Sequence, residues 1–249
     1  MPKILSEFLA CWKNLKFQIM PTLDKEELEK ILGVKINNAD LYLSAFTHRS
    51  YLNENRRFNL PHNERLEFLG DAVLELAATE YLYRNYPHPE GELTNFRSAL
   101  VNYKMLSDIA KRLGFEKFLL MSRGEAKDTG RARQVILANC IEAVIGAMYL
   151  DAGYQPTTNF IAREVLVELP NIIEIGSYMD AKSKLQEIIQ EKRGITPTYG
   201  VISETGPDHN KIFVVGAFIS TEEVGRGTGP SKQEAELSAA QDALKQNRF

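Results

Sequence analysis

The stretch Asn63–Ala78, NERLEFLGDAVLELAA, is apolar enough to be a buried helix, yet acids interrupt it at Glu64, Glu67 and Asp71. A helix advances about 100° per residue, so positions i, i+3 and i+7 fall within roughly 60° of one another. The three carboxylates therefore share a face, where they repel unless something positive sits among them. Glu75 lies near the angle of Asp71, one turn further on. A second apolar segment, ILANCIEAVIGAMYLD from Ile136, repeats the theme with Asn139 and Glu142 at i and i+3. If the two polar faces meet, Glu67, Asp71, Asn139 and Glu142 converge.

Four oxygen-bearing side chains plus water are what a hard divalent cation takes, and Mg²⁺ in particular keeps several waters. Such an ion acidifies bound water and polarises a phosphoryl oxygen. An all-oxygen set without His or Cys points to phosphodiester hydrolysis rather than zinc chemistry. A di-iron bundle needs Glu-x-x-His pairs, and none of His48, His62, His88 or His209 has Glu three positions earlier. Spacing alone leaves a second reading open, an ordinary solvated helix face.

The 249 residues are 44% hydrophobic and 25% charged, a composition for one large or two modest globular domains. No run of eighteen apolar residues appears, so no membrane span is expected. Cys11 and Cys140 are far apart and lack metal-ligand spacing, which speaks for a reducing compartment and a cytoplasmic location. A net charge of −3 gives no global nucleic-acid signal. Any such role must rest on local geometry or on acids offset by metal.

From Asp24 to about Ile175 the pattern is helical. ADLYLSAFTHRSY and GELTNFRSALVNYKMLSDIAKRLG each read as one helix, SRGEAKDTGRARQ as a charged loop, and NFIAREVLVELP as a last helix. The N-terminal residues 1–23 form an extension with Ile4, Leu5, Phe8, Leu9 and Trp12 at helical spacing. It is a poor secretory signal, and docking on its own protein or partial disorder is the expectation. After Pro170, NIIEIGSYMD reads as a linker. A helix, two β-type runs, a possible third strand EEVGRGTG and a helix opened by Ser231 follow. The Gly-rich GRGTGPSK lacks phosphate-loop spacing, so a turn is expected there.

HNERLEFLGDAVL, with FTHRS upstream and EGELTNFRSALV and ILANCIEAVIGAMYLD downstream, resembles the bacterial ribonuclease III family. The C-terminal α-β-β-β-α segment resembles a double-stranded-RNA-binding domain, with KSKLQE, GPDHNKIF and GTGPSKQEAE at its RNA-contact regions. The resemblance covers roughly Asp24 to Gln246. It implies an all-α endonuclease domain (24–175), a helical bundle, followed by a linker and a small α+β RNA-binding domain (176–249).

The implied activity is a homodimeric, Mg²⁺-dependent endonuclease of double-stranded RNA, with Mn²⁺ able to substitute. It processes structured precursors such as ribosomal RNA and leaves 5′-phosphate and 3′-hydroxyl ends with a short 3′ overhang. By position, Asp71 and Glu142 match the catalytic acids, Glu67 and Asn139 complete the metal set, and Glu64 and Glu90 match supporting acids. Asn139 stands where an Asp is common; it offers a carbonyl oxygen without charge. Ser183, Gln186, Glu187 and His209 match minor-groove contacts and Lys232 a phosphate contact, although Gln233 and Glu234 replace the usual basic run. Phe68 lies about 40° from Glu64, at the edge of the acid face, and matches a residue that enters a socket on the other subunit. Leu69 and Val73, near roughly 140° and 180°, point to the monomer core. A non-catalytic double-stranded-RNA-binding protein keeping the same fold is the alternative.

Overall fold

The computed structural model describes residues 22–175, 178, 181–207 and 211–247. The residues 1–21 of the N-terminal extension, and His209, lie outside the described residues. The chain forms two compact units. One is built from described residues up to Leu93 and from Leu100–Leu169; the other from Thr94–Ala99 and the described residues from Pro170 onward.

The first unit is helical. Helix α1 (Lys25–Leu32) starts on Asp24, whose carboxylate accepts from the Glu27 amide, and stops at Gly33 with φ 72°. The segment expected as one helix over 39–51 is two, α2 (Ala39–Ala45) and α3 (Arg49–Glu54). The break has a cause. Thr47 pairs as an isolated parallel bridge with Leu120, and the His48 amide donates to the Leu120 carbonyl at 2.8 Å. The Thr47 carbonyl in turn accepts the Asn63 amide at 2.9 Å. This knot anchors the start of α4 (Glu64–Asn85).

A second expected helix, over 91–114, is also two: α5 (Glu90–Leu100) and α6 (Tyr103–Arg112). Asn102 is extended, and its side chain accepts the Lys104 and Met105 amides, capping α6. The expected charged loop contains a short 3₁₀ turn at Glu125–Lys127, and α7 (Arg131–Ala152) begins inside its last residues. Gly153, at φ 87°, passes the chain directly into α8 (Tyr154–Glu164). α9 (Leu169–Ile175) occupies the first half of the expected linker.

Helix α7 is the centre of this unit. Ile136–Met148 is buried except at Asn139 and Glu142. It has the length and apolarity of a membrane span, but 61% of its most apolar window is buried within the protein, as in a core helix. Its most extensive packing is against α4, which contributes Val73, Leu74, Ala77, Ala78 and Leu82.

Besides Thr94–Ala99 of α5 and Pro170–Ile175 of α9, the second unit contains α10 (Ala181–Arg193), strands β1 (Thr198–Thr205), β2 (Ile212–Ile219) and β3 (Glu222–Gly229), and α11 (Lys232–Gln246). The sheet is antiparallel in the order β1-β2-β3. Leu185, Ile189, Val215, Ala217, Ile219, Val224 and an alanine row on α11 form its core. EEVGRGTG, read as a possible third strand, is β3, so the turn expected over GRGTGPSK starts only after Gly229. Gly225, Gly227 and Gly229 recur with period two and face α11. A Cβ at Gly227 would fall 2.1 Å from the Ala239 nitrogen, so these glycines exist to let helix and strand backbones approach. Ser231 caps α11 by accepting the Glu234 amide.

Candidate active site and nucleic-acid surface

The acidic site begins with two glycines. A Cβ at Gly70 would lie 1.7 Å from the Glu142 carbonyl oxygen, and one at Gly146 would lie 2.2 Å from the Leu66 carbonyl oxygen. Helices α4 and α7 therefore cross in backbone contact at these two positions. Asp71 follows Gly70 directly, and Glu142 sits one turn before Gly146. The crossing thus places the acidic faces of the two helices against each other. Sequence reasoning did not single out either glycine. The signal was available: a glycine inside an otherwise strong helix costs about 1 kcal/mol relative to Ala and calls for a packing reason.

Electrostatics shows which side chains meet. Glu142 is pushed up from 4.5 to about 8, by burial first and then by the charges of Asp71 and Glu67. Glu67 is raised by burial, then by Glu64; a hydrogen bond from the Asn139 side chain opposes this, and Asp71 adds to it. Asp71 is raised by burial and then by Glu75. So Glu67, Asp71, Asn139 and Glu142 are brought together, with Glu64 and Glu75 at the rim. Glu64 is exposed and accepts Arg49 Nη1 at 3.4 Å. Glu90 is exposed in the first turn of α5, and no hydrogen bond or ion pair among the described residues ties it to the cluster.

Three carboxylates that each hold their proton too tightly are a site short of positive charge. A divalent cation supplies that charge, and the donor set is entirely oxygen, so the residues fit one. As the side chains stand, no three His, Cys, Asp or Glu among the described residues form a closed ligand group.

Comparison with known proteins decides the family. Residues 38–169 match the model for "Ribonuclease-III-like" and residues 181–247 that for "Double-stranded RNA binding motif". The ribonuclease 3 of Oceanobacillus iheyensis is 45% identical over 226 residues, covering 89% of this chain and 97% of the relative. That of Listeria innocua is 42% identical over 225 residues, covering 89% and 96%. The nuclease domain of ribonuclease III from Campylobacter jejuni, studied for flexibility in a region involved in dimer formation, superimposes with a TM-score of 0.53. It is 37% identical, covering 59% of this chain and 99% of that one.

The chain belongs to the ribonuclease III family. It is an endoribonuclease of double-stranded RNA, and its family is metal-dependent.

In this ribonuclease III, Phe68 is 81% exposed in the single chain. Beside it on the same helix, Leu69, Ala72, Val73 and Leu76 join Glu80, Tyr149 and Tyr154 around an open apolar cavity of about 460 Å³. Val73 is buried, as its angle predicts. Leu69 is not in the closed core: it is half-buried and lines the cavity, together with Tyr149 and Tyr154. The Tyr154 hydroxyl donates to Glu80 at 2.9 Å and fixes that wall. Among the cavity's lining residues, Leu76 is 57% exposed, so this is unfinished apolar surface and not a sealed pocket.

In the RNA-binding unit, Ser183, Gln186 and Glu187 share the exposed face of α10, opposite the buried Leu185 and Ile189. Lys232 is exposed at the first position of α11, with its ammonium 5.9 Å from the centre of the Phe213 ring. The neighbouring Lys182 is spent internally, on Glu236 at 2.6 Å and the Tyr199 ring at 4.8 Å.

Proposed function

We propose that this ribonuclease III is a Mg²⁺-dependent homodimer that processes structured precursor RNAs, ribosomal RNA among them, in the cytoplasm. The observation that carries the reading is the convergence of Glu67, Asp71, Asn139 and Glu142 at the Gly70–Gly146 crossing, with all three carboxylates raised. We assign Asp71 and Glu142 to catalysis and all four residues to the cation. Mn²⁺, which takes similar oxygen ligands, substitutes for it. A bound cation supplies charge neutralisation at the phosphate and an acidified water.

The side chains of this chain do the rest. Asp71 and Glu142 hold negative charge where the cation is to sit. The Asn139 amide orients Glu67 by hydrogen bonding. Glu64 adds charge at the rim, and Glu90 supports the site from α5 when RNA is bound. Ser183, Gln186, Glu187 and His209 contact minor grooves and Lys232 the phosphates between them, positioning the duplex through its shape. The domain plan is an N-terminal extension (1–23), the nuclease domain (24–175), and a linker with the RNA-binding domain (176–249).

The exposed Phe68 and the apolar cavity support dimerisation, the ring of one copy seating in the cavity of the other. Two sites then face one duplex, one per strand. The products carry 5′-phosphate and 3′-hydroxyl ends with a short 3′ overhang. The test is incubation of the purified protein with a perfect RNA duplex in Mg²⁺ and in EDTA. Asp71→Asn and Glu142→Gln are expected to abolish metal-dependent cutting and leave duplex binding nearly intact. Cutting in EDTA, or near wild-type rates in both variants, rejects the assignment.

A further inference from the structure

Helix α3 is capped by a histidine. An N-cap is usually Ser, Thr, Asp or Asn, whose side-chain oxygen accepts an amide of the first turn. Here an imidazole does so: the Ser50 amide donates to His48 Nδ1 at 3.3 Å. The Ser50 hydroxyl lies 2.7 Å from the same nitrogen. Ser50 is buried, and its oxygen already accepts the Ser122 amide at 3.0 Å. Its hydroxyl hydrogen is therefore the one that points to Nδ1. A chain of donation runs from the Ser122 amide through the Ser50 hydroxyl to an unprotonated imidazole nitrogen.

That chain lies where the approaches to both acid-bearing helices are tied. Thr47, one residue before, is fully buried and accepts the Asn63 amide at 2.9 Å, next to Glu64 at the start of α4. The His48 amide donates to the Leu120 carbonyl at 2.8 Å, and the Leu120 amide donates to the Phe46 carbonyl at 2.8 Å. Beyond Leu120, the Ser122 hydroxyl accepts the Glu125 amide at 3.2 Å and opens the 3₁₀ turn that precedes α7. Helix α4 carries Glu67 and Asp71, and α7 carries Asn139 and Glu142. One side chain thus stands between the segment entering α4 and the segment entering α7.

This arrangement excludes a proton from Nδ1. An imidazolium has two N–H donors and no acceptor. A proton on Nδ1 strands the Ser50 amide and turns the buried Ser50 hydroxyl away, and each stranded donor costs free energy. The helix N-terminus is a second obstacle, since its dipole disfavours a cation. Burial holds the imidazole below its ordinary 6.5; Glu125 and Glu64 favour the charged ring, and Arg49 and His62 oppose it. Glu54, at the end of α3, is engaged by the Arg123 amide at 3.3 Å. Asn would cap α3 equally well and would not titrate. The histidine therefore adds a dependence on pH that capping alone does not need.

We propose that His48 is a positioning residue for the cleavage reaction: as the neutral imidazole it ties the approaches to α4 and α7 together, and its protonation opens that tie. This rests on the reading of the acidic cluster as the phosphodiester-cleaving site. The neutral ring's contribution to stability is fully present above the unfolded value of 6.5 and is lost as pH falls through the lower folded value. Glu142 works in the opposite sense between 4.5 and about 8. Only variants compared at matched pH separate the two.

The experiment uses the full-length protein as wild type, His48→Asn and His48→Ala. In EDTA, amide hydrogen exchange of residues 48–51 and 120–126, corrected for intrinsic rates, is followed from about pH 8 to about pH 5, where an imidazole titrates. His48 itself is titrated by NMR, its signal assigned by its loss in His48→Asn. In Mg²⁺, initial rates of duplex-RNA cleavage are measured over the same range. Wild type is expected to lose protection in both segments as His48 titrates below 6.5. His48→Asn keeps protection throughout, and His48→Ala lacks it at every pH and cuts more slowly. The wild-type rate divided by the His48→Asn rate should be near one at the alkaline end. It should then fall about tenfold per pH unit below the titration, the slope of one inactivating proton. Glu142 and the other acids titrate in both proteins and cancel in this ratio. A His48 that titrates at or above 6.5 overturns the proposal, as does exchange that opens alike in wild type and His48→Asn. So does His48→Ala with wild-type protection and rate, or a rate ratio that stays flat while the tie opens. Should His48→Ala not fold, the titration and His48→Asn decide alone. If no version cuts duplex at any pH, the nuclease reading fails and the positioning role with it, while exchange still decides whether His48 holds the tie.

Discussion

Replacing Gly70 by Ala adds one methyl group at the tightest point of the molecule. The new Cβ would stand 1.7 Å from the Glu142 carbonyl oxygen, 2.6 Å from its carbon and 2.8 Å from the Gly146 nitrogen. All three obstacles are backbone atoms of α7, so no side chain can rotate aside. Contacts under 3.0 Å are essentially never made by a real Cβ. Helices α4 and α7 must therefore part by about 1 Å or more. Overpacking of this kind costs about 1–3 kcal/mol, and more where the backbone itself must move. Against it stands a helix-propensity gain of about 1 kcal/mol for Gly to Ala. The expected net loss is about 2 kcal/mol, read as a lower urea midpoint at unchanged slope. The effect on catalysis should be larger in proportion. A displacement near 1 Å at a reacting centre costs on the order of 10²-fold in rate, and here it moves Asp71 relative to Glu142. Initial rates of duplex cleavage in Mg²⁺ report it. Gly91→Ala is the control, because a Cβ there meets nothing within 4 Å; it should be neutral or slightly stabilising. A Gly70→Ala protein with wild-type midpoint and wild-type rate would show that the helix crossing does not set the site.

Three further outcomes are expected. In EDTA, the folded protein holds a proton on Glu142 up to about 8, whereas the unfolded chain releases it near 4.5. The neutral form's advantage is therefore fully present below the lower value and is lost as pH rises through the upper one. Stability should fall across that window, and Glu142→Gln should flatten the fall; divalent cation should restore more stability at the alkaline end. Asn139→Asp replaces a hydrogen-bond donor to Glu67 with a fourth charge. It should destabilise the protein in EDTA and lower the Mg²⁺ concentration for half-maximal cleavage, and a higher requirement would remove Asn139 from the cation's ligands. Phe68→Ala removes a ring that is 81% exposed in one chain. If that ring is buried in a partner, truncation costs about 3–5 kcal/mol, and sedimentation at micromolar concentration should show monomer with weakened double-strand cleavage. A variant that remains dimeric at wild-type affinity would exclude Phe68 from the interface.

The acids at three- and four-residue spacing were legible in the sequence because helical periodicity is a local property. Once α4 forms, Glu64, Glu67 and Asp71 share a face whatever the rest of the chain does. The same holds for Asn139 with Glu142, for the caps at Asp24 and Ser231, and for the possible third strand EEVGRGTG, although a turn was also expected to begin at its glycines. Breaks inside apparently continuous helices were harder. Thr47 leaves the helix because Leu120 takes its neighbours' hydrogen bonds, a partner more than seventy residues away that no local window contains. The break at Asn102 was local and visible, since Asn is a strong N-cap, but the apolar period ran through it and outweighed it. What only the tertiary structure decided is which faces meet and how closely. Helical arithmetic gives the direction of Glu142 on α7 and of Asp71 on α4, but not the backbone contact at Gly70 and Gly146 that brings them together. That contact depends on two missing side chains on different helices, and an absence acquires meaning only when its counterpart is known. The raised carboxylates and the cavity beside Phe68 follow from it or from similar long-range placement. Each is a property of what surrounds a residue, and burial and neighbouring charge are set by the whole fold rather than by the spacing of letters in a chain.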